Sequence, residues 1–444
     1  MTRRTDQTRT PDTHARQTID EDPMRDHRSI LCTYYIESTG DPEKAALVMA
    51  GEQSSGTFVP VPGESPRIRE RHAARVLDVT TLGTRAPSLP SRSTPSQVDA
   101  ARVTVEFPME NVGTDLATLQ TAVAGNLFEL RDLYACRLED IDLPEEFVAG
   151  HQGPAFGIPG TRELMGGVEG VMIGTIVKPN VGLSEDEFRL VVRELALASI
   201  DLIKDDELMT DPAYLPLERR VAVATEEIRA AEQVTGHPTM YAFNITGDLA
   251  GLRQRHDLVV QAGGRCVMLN VPVMGLPALA WLRSFAEVPI HGHRAGLAAS
   301  MRAPGLGVDY QVWQKLARLA GADHLHVSGL GSKFYETDEQ VSTNIESLLA
   351  PLGATLAPVP TLSSGQNVTT PDPTFRHVGS TDLLMLAGGG IAAHPDGPTA
   401  GVRSLRDAWT AAVDGVPLSE AASDHARRGD EALLHAMNSF SESK

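Results

Sequence analysis

No stretch of this sequence stays apolar for the ~20 residues that a bilayer-spanning helix needs, so nothing in it reads as a membrane span. Cysteine is scarce. Cys32, Cys136 and Cys266 lie far apart without metal-ligand spacing, and an odd count offers no disulfide framework, which makes the cytoplasm the expected location. Positive charge is in deficit: 39 Lys and Arg against 58 Asp and Glu leave a formal charge of −19, a field that repels polyanions and speaks against nucleic acid or an anionic membrane as partner. A small anionic substrate stays open through local positive charge. Residues 1–28 are rich in Thr, Arg and Asp without an apolar run, and read as a disordered tail instead of a secretion signal.

What is present is the material of a globular protein, 41% hydrophobic and 22% charged. Its 444 residues suit a barrel of about 250 residues plus a smaller module. From residue 171 short apolar strands alternate with amphipathic helical stretches: VMIGTIVKP (171–179), DLIKDDE (201–207), TMYAFNIT (239–246), RCVMLNV (265–271), VPIHGHRA (288–295), DHLHVSG (323–329), TLAPVPTLSSG (355–365) and DLLMLAGGG (382–390). Eight such units predict a parallel sheet closed into a (β/α)₈ barrel over 151–444. Ahead of it, residues 29–150 carry strand-like ILCTYYIES, RHAARVLDVTTL and ARVTVEFP and a helix near DPEKAALVMAGEQ, a small α+β domain with SRSTPS (91–96) as an exposed loop.

Polar residues gather at the C-terminal ends of the barrel strands, the catalytic face of such folds. In the second strand the side chains alternate, so Lys204 and Asp206 face one way, Ile203 and Asp205 the other, and Glu207 stands at the end. A lysine ammonium repels Mg²⁺, but a neutral amine that captures CO₂ becomes a carbamate, a third anionic oxygen ligand beside Asp206 and Glu207. A buried ion network accounts for the same residues. Lys178 reads either as a phosphate or proton-transfer lysine or as a solvated strand-end charge. His291 with His293, and His324 with His326, place paired imidazoles on two adjacent strands, for catalysis or for hydrogen bonding within the rim. Arg294 offers a phosphate fork or a plain ion pair. Ser364-Gly365 and Gly388-Gly389-Gly390 match the usual barrel phosphate site, though glycine runs also make ordinary turns.

Taken together, GTIVKPNVGL, DLIKDDE, FNITG, HGHRA, GADHLHVSGLGSK, SSG and AGGGIAAHPDGPTAG, in order and on successive strands, resemble the large-subunit family of RuBisCO. In the N-terminal region EQSSGTF (52–58) and GNLFEL (125–130) resemble the family segments that set a Glu, a Thr and an Asn over a partner subunit's active site. The resemblance implies a TIM barrel preceded by a smaller, ferredoxin-like α+β domain, with Lys204 as the carbamate, Asp206 and Glu207 as Mg²⁺ ligands, and Lys178 and His293 as proton-transfer candidates. It implies that Arg294, His326 and Ser364 hold one end of the substrate. The other, anionic end meets Thr57, the loop residue Lys333 and backbone amides near Gly365, Gln366, Gly388 and Gly389. Glu52, Thr57 and Asn126 serve the neighbouring chain, which makes a homodimer the smallest active unit.

Departures from carboxylases narrow the expectation. The family's KPK stands here as Lys178-Pro179-Asn180, without the second lysine that handles CO₂ as a substrate; Phe58 replaces a Trp, the SGG motif reads Ser364-Gly365-Gln366, and the loop GLGSKFYETDE differs from the carboxylase loop. These differences resemble the RuBisCO-like group and speak against ribulose-bisphosphate carboxylation. The group's chemistry starts from enolisation of a phosphorylated keto-sugar, with Mg²⁺ stabilising the enediolate. Because Asn126 stands where the salvage enolases carry a lysine base, the expected activity is 3-oxo-isoapionate-4-phosphate transcarboxylase/hydrolase in sugar-acid catabolism. The alternatives are 5-methylthioribulose-1-phosphate isomerase or 2,3-diketo-5-methylthiopentyl-1-phosphate enolase in methionine salvage. A non-catalytic metabolite-binding protein is a further alternative, against which the retained Lys204, Asp206 and Glu207 speak.

Overall fold

The computed structural model describes residues 28–56, 61–90 and 95–441. Residues 1–27 of the expected tail, Thr57, Phe58 and part of the SRSTPS loop lie outside the described residues.

The described strands are β1 (Ser29–Ser38), β2 (Arg75–Arg85), β3 (Val98–Pro108), β4 (Leu133–Asp142), β5 (Met172–Ile176), β6 (Leu202–Lys204), β7 (Met240–Asn244), β8 (Cys266–Asn270), β9 (Ile290–His293), β10 (Leu306–Val308), β11 (His324–Ser328), β12 (Val359–Leu362) and β13 (Leu384–Leu386). Strands β1 to β4, with helices Pro42–Glu52 and Leu116–Ala124 between them, form an antiparallel sheet in the order β4-β1-β3-β2, the ferredoxin-like plan. Its edge at β4 is covered by β10, which pairs with it in parallel and comes from the barrel half of the chain. Arg137 fastens that junction, donating to the carbonyls of Met301 (2.8 Å) and Ala303 (3.0 Å) and to Asp309 Oδ2 (3.0 Å). The segment RHAARVLDVTTL, expected as one strand, begins as the end of helix Pro66–His72; the Ser65 cap and Pro66 at its first position start that helix, and extended structure resumes at Arg75.

The other eight strands close a parallel barrel in the order β11-β12-β13-β5-β6-β7-β8-β9. All eight predicted units fall on these strands. Period-two alternation decides what fills the interior: Met172, Leu202, Met240, Cys266, Met268, Val359 and Leu384 pack there, and Lys204 follows Leu202 by two residues on the same inward face. Asp323, just ahead of β11, fixes the barrel floor. Its Oδ1 accepts from the backbone N–H groups of Phe156 (2.7 Å) and Gly157 (3.0 Å), and Arg283 reaches its Oδ2 at 2.8 Å. Helix Gly157–Leu164 is thereby held under the interior; a side chain at Gly157, where φ is +51°, would lie 2.7 Å from the Ala357 carbonyl oxygen.

Candidate active site

The barrel's C-terminal mouth encloses a cavity of roughly 410 Å³ lined by Lys178, Lys204, Asp206, Glu207, His293, Arg294, His326, Lys333, Ser364, Gly365, Gly388 and Gly389. These residues come from separate strands and loops. Eleven of the predicted site residues other than Lys204 thus share one pocket with it, a size that suits a small metabolite.

Lys204 is only 1% exposed, and its Nζ donates to the Asp205 carbonyl oxygen at 2.8 Å. Burial pushes its pKa down to about 8, against the pull of Glu207, Asp206 and Asp205. The neutral amine, the form that attacks CO₂, is thereby brought closer to physiological pH than in an ordinary lysine. The two neighbouring acids divide sharply. Asp205 faces the barrel wall, accepting from Arg220 Nε (3.0 Å), Tyr241 Oη (2.6 Å) and the Asn244 backbone N–H (2.8 Å), whereas Asp206 faces the pocket. Asn244 Nδ2 ties the following turn by donating to the carbonyls of Asp206 and Glu207, both at 3.3 Å.

Does this donor set fit a divalent cation? Asp206 and Glu207 supply two hard oxygens but do not form a closed cage: among the described residues, the group of three His, Cys, Asp or Glu whose ligand atoms lie within 4.8 Å of one another is Asp407, His425 and Asp430, by the barrel's outer helices. A carbamate on Lys204 would add the third anionic oxygen in the same pocket. The residues fit Mg²⁺ on that condition.

Around the acids stand two proton-bearing groups. Lys178 Nζ donates to Asn180 Oδ1 (2.5 Å) and to Asp206 Oδ2 (3.3 Å), so Asn180, the departure from the family's second lysine, acts as its anchor. His293 is held neutral by burial. Its Nδ1 accepts from the Ala295 N–H at 3.2 Å, which leaves the proton on Nε2, 3.5 Å from Glu207 Oε2; in this state it offers the pocket an N–H and not a lone pair.

Below them the paired histidines form one directed chain. Thr161 Oγ1 donates to the Gly157 carbonyl (2.5 Å) and so must accept from His324 Nε2 (2.9 Å). His324 is kept neutral by burial, which brings its pKa to about 3, so its Nδ1 accepts from His291 Nδ1 at 3.2 Å. His291 Nε2 then accepts from His326 Nε2 at 2.8 Å, and His326 Nδ1 is left to accept from Ser363 Oγ at 3.2 Å. Burial likewise drives His291 and His326 well below the usual histidine range. Both nitrogens of His326 are thus occupied within the protein.

Arg294 is also engaged. Its Nη2 donates to Glu336 Oε2 at 2.9 Å, its Nη1 lies 2.6 Å from Glu336 Oε1, and its guanidinium stacks 4.5 Å above the Tyr310 ring. Glu336 belongs to the loop that carries Lys333. A capping box at Thr337 and Gln340 starts the next helix, Asp338–Leu349, and Asp338 Oδ1 accepts from the Gly331 N–H at 2.8 Å, which shapes the loop. Ser364 Oγ has no hydrogen-bond partner, and its φ of +69° marks a backbone bent toward the pocket. Gln366 does not line the cavity. It is 2% exposed, and its Nε2 donates to the Ser364 carbonyl (3.1 Å) and packs where a side chain on Gly329 would stand, so it braces the loops after β11 and β12. Gly388 and Gly389 open a short helix, Gly388–Ala392, instead of a free turn, and a Cβ at Gly388 would approach Lys178 Cε to 3.2 Å.

Glu52 and Asn126 stay apart from this pocket. Both are exposed on the N-terminal domain, Asn126 Nδ2 donating to Glu52 Oε1 at 3.5 Å. Sequence reasoning missed Glu336, Tyr310, Ser363 and Thr161. An acid three residues after Lys333 was the one available signal for Glu336, and nothing near it in the chain names Arg294 as its partner.

Fold and site define a two-domain (β/α)₈-barrel protein with a lysine and two acids at the end of its second barrel strand. The family description "ribulose bisphosphate carboxylase large chain, catalytic domain" matches residues 157–440, and its N-terminal domain matches 17–147. A 3-oxo-isoapionate-4-phosphate transcarboxylase/hydrolase of Xanthobacter autotrophicus is 45% identical over 396 residues, 88% of this chain and 96% of its own length. A 3-oxo-isoapionate-4-phosphate decarboxylase of Rhizobium etli is 42% identical, over 89% of this chain and 96% of its own length. Among solved structures, a rubisco-like protein from Burkholderia fungorum superposes with a TM-score of 0.86 at 40% identity, covering 93% of this chain and 99% of that one. The chain belongs to the ribulose bisphosphate carboxylase large-chain family, as one of its RuBisCO-like members.

Proposed function

We propose that this RuBisCO-like enzyme is a 3-oxo-isoapionate-4-phosphate transcarboxylase/hydrolase, active as a homodimer with Mg²⁺ held by Asp206, Glu207 and a carbamate on Lys204. The observation that carries the reading is the buried, neutral-prone amine of Lys204 at the floor of a pocket that also holds both acids. The names and 42–45% identities of the two relatives supply the substrate.

In the transcarboxylase/hydrolase reaction the carboxylate beside the 3-oxo group is detached, transferred and then hydrolysed, and the electrons left behind by its detachment settle on the neighbouring oxo group. Bound Mg²⁺ would supply that charge stabilisation. The protein's own groups do the rest. Lys178, steered by Asn180 and Asp206, brings an ammonium to the reacting region as proton donor, and His293 presents its Nε2 proton to a substrate oxygen. Neither needs an outside base to reach that state. Lys333, Gly388 and Gly389, which line the same cavity, would take the phosphate. Glu52, Thr57 and Asn126 complete the site of the partner subunit; the exposed Glu52–Asn126 pair, away from its own pocket, favours this arrangement.

The deciding experiment offers the purified protein, with Mg²⁺ and CO₂, 3-oxo-isoapionate 4-phosphate and, separately, 5-methylthioribulose 1-phosphate. Turnover of the first alone is expected. Turnover of the second alone would overturn the assignment.

A further inference from the structure

Between the end of β9 and helix Tyr310–Leu319 the chain runs through a long connection whose regular pieces are the short helix Ala298–Met301 and β10. This connection forms one wall of the cavity through Leu297, Ala298 and Met301, and it ends at Tyr310, whose ring carries the Arg294 guanidinium at 4.5 Å. The N-terminal sheet of the same chain grips it. Leu306 and Val308 of β10 pair in parallel with Cys136 and Leu138 of β4. The Cys136 N–H donates to the Gly305 carbonyl at 2.9 Å, and the Asp309 N–H donates to the Leu138 carbonyl at 2.8 Å.

Arg137 stands between these two bonds with a side chain 12% exposed. Its Nη1 donates to the carbonyls of Met301 (2.8 Å), Ala303 (3.0 Å) and Leu306 (3.3 Å), gathering three points of the connection onto one nitrogen. Its Nη2 donates to Asp309 Oδ2 at 3.0 Å, while Asp309 Oδ1 accepts from the Gln311 N–H at 3.1 Å and caps the helix that begins with Tyr310. One guanidinium therefore holds a residue of the cavity wall and the start of the helix beneath Arg294. A planar fork of fixed donors suits that task, and a lysine ammonium, a single point charge, does not.

We propose that Arg137 is a positioning residue for the pocket of its own chain: by clamping residues 301–309 to the N-terminal sheet it sets where Met301 and Tyr310, and through Tyr310 Arg294, meet the ligand. The N-terminal domain then serves its own barrel as well as the partner's. The proposal rests on the reading above that this cavity takes the substrate. Asp206, Glu207 and Lys178 follow other strands, so a loosened wall weakens substrate binding and spares the chemical step.

The test combines steady-state kinetics on 3-oxo-isoapionate 4-phosphate with hydrogen exchange read by mass spectrometry, both on the full-length protein with Mg²⁺ and CO₂. Arg137→Met should raise KM about tenfold or more with kcat within about threefold of native. It should also speed exchange about tenfold or more in residues 296–309, with strands β5 to β8 at native rates. Arg137→Lys, which keeps a charge for Asp309 and so protects the fold, should still raise KM about fivefold or more. Arg102→Met, which removes an ion pair with Glu139 from the solvent side of the same sheet, should leave both readouts native. A fall in kcat at unchanged KM, native exchange in 296–309, or exchange raised equally through β5 to β8 would each overturn the proposal. If the native protein does not turn this substrate over, the preceding assignment alone fails, and the exchange pattern still decides the role of Arg137.

Discussion

Lys178 Nζ lies 3.3 Å from Asp206 Oδ2 across the mouth of the barrel, linking the end of β5 to the end of β6. The ammonium therefore occupies the side of Asp206 that faces the reacting groups, and Asn180 holds it there at 2.5 Å. Replacing Lys178 by Met removes a proton donor without opening the core, since the side chain is 33% exposed. The expected outcome is a fall in kcat of about 10²-fold or more, with Mg²⁺ binding to the CO₂-treated protein not weakened. Steady-state kinetics and calorimetric titration of Mg²⁺ check both.

Asp205 and Asp206 are adjacent acids with opposite duties, and their variants should separate cleanly. Asp205→Ala strands the buried Arg220, so a stability loss of about 3–5 kcal/mol is expected in urea denaturation. Asp206→Ala leaves that network whole. It should unfold near the native midpoint and bind Mg²⁺ far more weakly; equal destabilisation by the two variants would contradict the division.

The directed histidine chain makes a spectroscopic prediction. His324 and His326 should carry their protons on Nε2 and His291 on Nδ1, and none of the three should titrate between pH 5 and 8, since burial holds all of them below the usual range. Nitrogen NMR of the histidine-labelled protein reads both properties. Thr161→Val removes the acceptor that starts the chain and should cost about 1–3 kcal/mol of stability.

Much of this was legible in the sequence because the barrel repeats a local signal: short apolar strands with polar ends. Lys204 and Asp206 could be placed on one face because a strand alternates strictly. The relationships that escaped reading are long-range. Strand β10 joins a sheet whose other members lie more than 160 residues earlier, at Leu306 against Cys136, and no local pattern carries that pairing. The segment of β4, LYACRLEDID, mixes charged and apolar residues because one face looks to solvent and it pairs on both edges, and it was passed over. Arg294 was legible as a phosphate fork by resemblance, but its two-point contact with Glu336, 42 residues away, is set by loop geometry alone. His326 was likewise expected to hold substrate; the hydrogen bonds to His291 and Ser363 that occupy it depend on the packing of three neighbouring strands.

The most direct test of the account is carbon NMR of the protein equilibrated with ¹³C-labelled CO₂ and Mg²⁺ as a function of pH. Below about 8 the rate of CO₂ uptake should rise about tenfold per pH unit and level off above it, because the folded-state pKa of Lys204 lies below the ordinary lysine value of 10.5 and the neutral amine is the reactive form. One carbamate resonance should appear in the native protein and vanish in Lys204→Ala together with Mg²⁺-dependent turnover. A native enzyme that turns over without that resonance, or a Lys204→Ala variant that keeps it, would contradict the account.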